Sequence, residues 1–276
     1  MRVAGRGRHS PARTIRFTFE GRSYTALEGD TLASALLAHG VHLTGRSFKY
    51  HRPRGILSAG PEEPNALADI ARDAARRQPN VRMTVQEVFD GMRATSQNRW
   101  PSLEFDVGAV NDALGRFLPA GFYYKTFMWP AKAWKHLYEP VIRSAAGLGE
   151  APTEADPDRY ANRFAHCDLL VVGAGAAGIM AALGAARSGQ RVIVCDENAR
   201  PGGHLRSDPS AMIDGLPAAR WVEQSIGELE AHDNVVVLRR TTAFMYGGHN
   251  MLALAERVTD HLTRPDPDQP RERLWQ

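Results

Sequence analysis

The sequence predicts an α/β protein in two parts, and three observations predict it. First, Leu169-Leu170-Val171-Val172 runs into Gly173-Ala174-Gly175-Ala176-Ala177-Gly178. An alanine-rich stretch and Arg191-Val192-Ile193-Val194-Cys195-Asp196-Glu197 follow. That order reads as strand, tight glycine turn, helix and strand, with an acid closing the second strand. Second, the first fifty residues read as strand, turn, strand and capped helix. Third, 276 residues at 43% hydrophobic and 24% charged suit a globular chain of one large or two ordinary domains.

Taken in order, residues 1–12 form a basic arm carrying Arg2, Arg6 and Arg8 without an acid, expected to be disordered. No apolar run follows it, which argues against a secretory signal. The net charge of +3 gives no mandate for nucleic acid. Residues 13–90 make the first domain. Thr14–Phe19 alternates as a strand, Glu20-Gly21 turns it back, and Asp30 or Thr31 caps a helix that Gly40 stops. Strand, turn, strand and helix in this order is how a β-grasp ferredoxin begins. In iron–sulfur members the next loop supplies cysteine thiolates. Here it is Gly45-Arg46-Ser47-Phe48-Lys49-Tyr50-His51-Arg52-Pro53-Arg54-Gly55, without a cysteine. The expectation is the fold without its cluster, and His51 alone cannot replace four ligands. The basic-aromatic loop reads equally as a grip for phosphate, nucleic acid or an acidic partner, and as a stiff loop docked on its own chain. Residues 81–85 are the expected closing strand.

Residues 91–164 are poor in periodicity and rich in aromatics, including Trp100, Phe105, Phe122, Tyr123, Tyr124, Trp129 and Trp134. So much apolar surface is unstable if left free in a linker. We expect an irregular strap packed on the neighbouring domain or another subunit. Residues 165–276 make a Rossmann-like domain of the two-dinucleotide type. Gly173 permits the turn, Gly175 lets backbone approach a pyrophosphate, and Gly178 lets the helix pack on the strand. The helix N-terminus offers N–H groups to phosphate. Asp196 stands 18 positions beyond Gly178, close to the spacing of a carboxylate that binds ribose hydroxyls. Residues 169–186 carry no charge but are mostly Ala and Gly and of borderline length, so a membrane span is disfavoured. A second glycine pair, Gly202-Gly203 before His204, brings backbone near the dinucleotide from the other side. Val235-Val236-Val237 is a third strand, after which Ala243 is placed beside an adenine, and residues 244–258 form a hairpin. The chain ends where another buried strand is expected to begin, so the domain is expected to be incomplete at its C-terminus. Two cysteines, Cys167 and Cys195, read as packing residues and fit a reducing cytoplasm. Ten histidines lack metal spacing, and no nucleophile–base or paired-carboxylate constellation stands out, so no catalytic or metal residue is assigned.

Four stretches carry a more specific resemblance. These are residues 45–55, Glu63-Pro64-Asn65-Ala66-Leu67, Ser96-Gln97-Asn98-Arg99-Trp100-Pro101-Ser102-Leu103 and Pro119-Ala120-Gly121-Phe122-Tyr123-Tyr124-Lys125-Thr126-Phe127. From about Arg13 onward the chain resembles the N-terminal part of the α subunit of heterotetrameric sarcosine oxidase, which is several times longer. The resemblance implies a multi-subunit flavoenzyme with β, γ and δ partners that demethylates sarcosine to glycine. It makes hydrogen peroxide and passes a one-carbon unit to tetrahydrofolate. It implies NAD on this chain, FAD and FMN in the complex mostly on the β subunit, no Fe–S cluster, and sarcosine and tetrahydrofolate at sites outside this chain. It places NAD contacts on Gly173, Gly175, Ala177, Gly178, Asp196, Glu197, Asn198, His204 and Ala243, beside Gly203 from the second glycine pair. Asp196 is expected to favour NAD over NADP by repelling a 2′-phosphate. Ala176 departs from the proline usual there. The competing readings are a subunit of a related amine, opine or cyanide-forming dehydrogenase, and a non-catalytic assembly or nucleotide-binding module.

Overall fold

The structure, a computed structural model, describes residues 13–117, 121, 127–147 and 149–276. The basic arm and the aromatics Phe122, Tyr123 and Tyr124 lie outside the described residues. The chain divides into two compact units between Pro157 and Asp158.

In the first unit, β1 (Thr14–Phe19) and β2 (Arg22–Leu27) form a hairpin. Its two turn residues, Glu20 and Gly21, both have positive φ, as a tight turn matched to strand twist requires. β1 alternates, with Ile15, Phe17 and Phe19 turned inward. The Thr31 side chain accepts from Ser34 N at 3.2 Å and caps α1 (Leu32–Ala38), whose Leu32, Ala33, Ala35 and Leu36 are buried. β3 (Leu67–Ala71), β4 (Arg77–Arg82) and β5 (Met92–Ser96) complete a five-stranded sheet in the order β2-β1-β5-β3-β4. β1 and β5 are parallel and every other pair is antiparallel, the β-grasp arrangement. The core gathers Phe17, Phe19, Leu32, Leu36, Met83 and Met92.

Two expectations change here. The strand expected at residues 81–85 runs over Arg77–Arg82 instead, and Met83 leaves it to fill the core. β5, expected to be part of an irregular connection, is instead a central strand. Only Met92, Ala94 and Ser96 of its five residues face inward, and this weakly apolar set gives little period-two signal. Nor is the connection wholly irregular, since α2 (Glu139–Ala146) lies within it. Trp100, Phe105 and Trp129 are 69%, 70% and 84% exposed.

The second unit holds β6 (Tyr160–Arg163), β7 (Leu169–Val172), α3 (Ala176–Arg187), β8 (Val192–Cys195), α4 (Ala218–Ala231) and β9 (Val235–Leu238). The hairpin β10 (Thr241–Tyr246) and β11 (Leu252–Arg257) follows, and then β12 (Glu272–Trp275). β7, β8 and β9 form a parallel sheet in the order β9-β8-β7. α3 and α4 bury Ile179, Leu183, Trp221, Ile226 and Leu229 in one cluster with Val171, Val192 and Val194. A second sheet runs β10-β11-β12-β6. The last residues lie in this second sheet. β12 pairs antiparallel with β11 and parallel with β6, a strand from the segment expected as connection. Trp275 anchors it, buried and donating its indole N–H to Glu256 Oε2 at 2.8 Å.

Candidate functional site: a glycine turn between two strands

The glycine turn leaves β7 at Gly173, whose φ of +94° few side chains tolerate. Its N–H donates to Cys195 O at 2.8 Å, which ties the turn to the end of β8. A Cβ on Gly178 would lie 2.0 Å from Gly173 O, so the first turn of α3 seats directly on the strand exit. α3 has no side-chain cap, so its first N–H groups, which have no intrahelical acceptor, stand at the positive end of the helix dipole. Gly202 N donates to Ala174 O at 2.7 Å, and a Cβ on Gly203 would stand 3.3 Å from Gly175 Cα. The second glycine pair thus closes against the first turn, and the positive φ of Gly202 and Gly203 favours glycine at both.

Asp196, at the end of β8, is buried. Its Oδ2 accepts from Ala174 N at 2.9 Å and its Oδ1 from Asn198 N at 2.8 Å. The carboxylate braces the turn from below, an orientation that sequence spacing did not reveal. Each oxygen keeps lone-pair capacity for a further donor. Glu197 and Asn198 are half-buried, Gly173, Ala177, Gly203 and His204 exposed, and Gly175 and Gly178 half-buried. Ala243 packs beside Cys195 and Leu238 on β10, two residues past Thr241, whose N–H donates to Asp196 O at 2.8 Å. The structure gathers the turn, residues 196–198 and Gly203 at one end of the parallel sheet. That is where ligands bind in open α/β sheets. A bare-glycine cradle, an uncapped helix start and a carboxylate fit a dinucleotide. Burial pushes the Cys195 thiol up to about 11, so it stays a packing residue.

In the first unit, the loop that would carry cluster ligands is filled by protein contacts. Arg46 donates through Nε and Nη2 to Leu103 O at 3.0 and 2.7 Å, and Asn98 Nδ2 donates to Arg46 O at 2.9 Å. His51 Nδ1 meets Asp106 Oδ2 at 2.6 Å, while Asp106 Oδ1 accepts from Trp100 N and Gly108 N. Arg52 pairs with Asp112 and lies over the Tyr50 ring. The docked reading of this loop describes Arg46, His51 and Arg52. Among the described residues no group of three or more His, Cys, Asp or Glu is arranged to hold a metal. Sequence reasoning also missed Glu63. This buried carboxylate accepts from Leu57 N and Ser58 N at 2.7 Å, from Asn65 N at 2.8 Å and from Ala66 N at 3.1 Å.

Residues 12–99 match the family described as 2Fe-2S iron-sulfur cluster binding domain, and residues 168–251 match FAD dependent oxidoreductase. Both cysteines of the chain lie outside residues 12–99, so the donor set there does not fit an iron–sulfur cluster. Over 97% of the chain the fold is similar to 40% of L-proline dehydrogenase from P. horikoshii, at a TM-score of 0.54 and 16% identity. The chain is 59% identical over 261 residues, 95% of its length, to sarcosine oxidase subunit alpha of Rhizobium meliloti (strain 1021). It is 34% identical over 267 residues to that of Corynebacterium sp. (strain U-96). It spans 26% and 22% of the length of these two relatives. Among the described residues no helix is long and apolar enough to cross a membrane. The architecture is a ferredoxin-like unit followed by one like the FAD-dependent oxidoreductases, and over nearly its whole length the chain is homologous to the N-terminal portion of sarcosine oxidase alpha subunits.

Proposed function

We propose that this chain is the dinucleotide-binding N-terminal part of an amine-oxidising flavoenzyme subunit of the sarcosine oxidase alpha type, and that its glycine turn holds NAD. The carrying observation is the cradle, in which Gly173, Gly178 and Gly203 each occupy a place where a side chain is strained or obstructed. Gly173, Gly175, Ala177 and Gly178 present backbone to the pyrophosphate, and Asp196, Glu197 and Asn198 face the ribose. Gly203 and His204 flank the phosphates, and Ala243 lies beside the adenine. NAD, when bound, would be held and oriented by this chain's residues, while the electrons of the amine pass through the flavins. On this reading the chain has no catalytic residue of its own. The assembled enzyme, with β, γ and δ subunits carrying FAD and FMN mostly on β, oxidises sarcosine to glycine, with molecular oxygen taking the two electrons and leaving as hydrogen peroxide. The one-carbon unit goes to tetrahydrofolate at a site outside this chain. The 59% identity to an alpha subunit supports this class.

A second reading, favoured by the match of residues 168–251 to FAD dependent oxidoreductases, is that the same turn takes FAD. Both dinucleotides share the pyrophosphate and the adenosine, so the cradle serves either. Isothermal titration of the 276-residue chain with NAD, NADP and FAD separates them. Micromolar NAD binding with weak NADP and FAD binding supports the first reading, and tight FAD binding the second. A folded chain that binds none of the three refutes both.

A further inference from the structure

Beyond Cys195, the last residue of β8 paired with β9, Asp196 N still donates to Leu238 O at 2.9 Å, after which residues 197 and 198 depend on individual bonds for their position. Three carbonyls in a row are held by three separate donors. Thr241 N donates to Asp196 O at 2.8 Å and Arg240 N donates to Asn198 O at 3.1 Å. Between them, Glu197 O accepts from Arg257 Nη2 at 2.9 Å. Two of these donors are backbone amides, supplied by the approach of β10. The third is a side chain reaching back 60 residues from the end of β11, so it is the one that a side-chain substitution removes.

Arg257 is itself constrained. Its own N–H donates to Arg240 O at 3.0 Å, and its side chain is only 16% exposed. Nη1 stands 3.9 Å from Oδ2 of Asp260, whose side chain is 3% exposed. Burial pushes the Asp260 carboxyl up, but His261, Arg257 and Arg271 outweigh it and hold it below the usual range, so the group is anionic at neutral pH. The guanidinium thus hydrogen-bonds the Glu197 carbonyl on one side and faces the Asp260 carboxylate at ion-pair distance on the other, a division of two planar nitrogens that a lysine ammonium does not reproduce.

We infer that Arg257, oriented by Asp260, is a positioning residue for ribose recognition. It fixes the Glu197 carbonyl, and through it the backbone that presents the Glu197 and Asn198 side chains to the adenosine ribose of a bound dinucleotide. The inference rests on the dinucleotide reading of the glycine turn. Arg257 touches no ligand on this account. It acts by keeping the segment after β8 in one conformation, so that the carboxylates that accept a 2′-hydroxyl and repel a 2′-phosphate stay in register.

The test compares Arg257→Met, Arg257→Lys and Asp260→Asn with the parent 276-residue chain by titration with NAD and NADP and by amide hydrogen exchange. Removing the guanidinium is expected to weaken NAD binding about tenfold, the scale of one charge-assisted hydrogen bond. NADP binding is expected to change less than twofold, because the 2′-phosphate gains from the loosened carboxylates what the ribose loses. Discrimination then narrows, and exchange at residues 196–199 quickens in the unliganded protein. Arg257→Lys recovers part of the NAD affinity by restoring a donor to Glu197 O, and Asp260→Asn falls between it and Arg257→Met. An equal loss for both dinucleotides reports a purely structural role and overturns the inference. Unchanged NAD binding in a folded Arg257→Met sample overturns it as well. Failure of the dinucleotide reading is distinguishable, because it appears in the parent chain before any substitution, and the inference falls with it.

Discussion

Glu63→Gln is the most informative single change in the first unit. The parent side chain is 2% exposed and receives four backbone N–H groups, two on each oxygen. Burial pushes its carboxyl up, but the N–H donors of Ser58, Asn65, Leu57 and Ala66 outweigh it and set it below the usual 4.5. The amide keeps one oxygen and turns an NH2 toward two donors, so two N–H groups lose their acceptor whichever way it is placed. Hydrogen bonds to a charged group contribute roughly 1.5–3 kcal/mol each, and orphaning a buried donor costs about 1–3 kcal/mol. Allowing for relaxation of the loop, the expected loss is about 3–5 kcal/mol, a large share of the roughly 5–15 kcal/mol that holds a domain folded. The pH dependence has a definite sign. A carboxyl whose folded pKa is depressed stabilises fully above its unfolded value near 4.5, and that contribution is lost as pH falls through the lower folded value. Urea unfolding followed by circular dichroism at pH 7 and pH 3.5 measures both effects. The substituted protein should unfold at much lower urea at pH 7 and show a flatter dependence on acid. A midpoint at pH 7 equal to the parent's would refute the account of Glu63 as the pin of this loop.

The second unit gives four further outcomes. Gly178→Ala drives a Cβ to 2.0 Å from Gly173 O, so it is expected to cost about 1–3 kcal/mol and to abolish dinucleotide binding. Gly184→Ala, in the same helix with nothing within 4 Å, should stabilise by up to about 1 kcal/mol, and thermal melts of the pair check both signs. Asp168, hydrogen-bonded to the Arg191 side chain and backbone, should titrate at about 2 by carbon NMR, and Asp168→Asn should leave the melting temperature almost unchanged because the pair is exposed. With its thiol at about 11, Cys195 should stay silent to a disulfide reagent at pH 8 until the protein unfolds, and the slower native signal should vanish in Cys167→Ser.

The parts of the fold legible in the sequence are those whose signals are local. Glu20-Gly21 between alternating strands, Thr31 before an apolar helix and the run from Leu169 to Cys195 each carry their own period and their own punctuation. What stayed illegible depends on partners far along the chain. β5 is short of apolar residues and becomes a strand because β1 and β3 flank it. β6 has little pattern of its own, with one half-buried residue in four, and pairs with β12 more than a hundred residues later. In the glycine turn, spacing located Asp196 but not the direction of its carboxylate. That direction is decided by which backbone N–H groups the turn leaves facing it. Arg257 and Asp260 were missed because a surface-looking arginine and aspartate three apart carry no sign of burial.

Buried carboxylates accepting backbone N–H groups recur in four loops among the described residues. Glu63 holds residues 57–66, Asp106 holds Trp100 N and Gly108 N while receiving His51, and Asp196 holds Ala174 N and Asn198 N. Asp30 joins them, accepting Leu27 N at 2.7 Å and Ser34 Oγ at 3.0 Å at the entry to α1. A carboxylate has about four lone-pair directions and organises several donors at once, which a hydroxyl or amide cannot match. The device accounts for how the loop over residues 45–66 keeps its form: Glu63 gathers the amides of residues 57, 58, 65 and 66, and Asp106 receives the His51 ring from outside the loop. The same logic leaves the glycine turn braced by Asp196 in the unliganded chain. On the proposed dinucleotide reading, binding there would order little backbone, and the affinity would go into contacts rather than into folding the site.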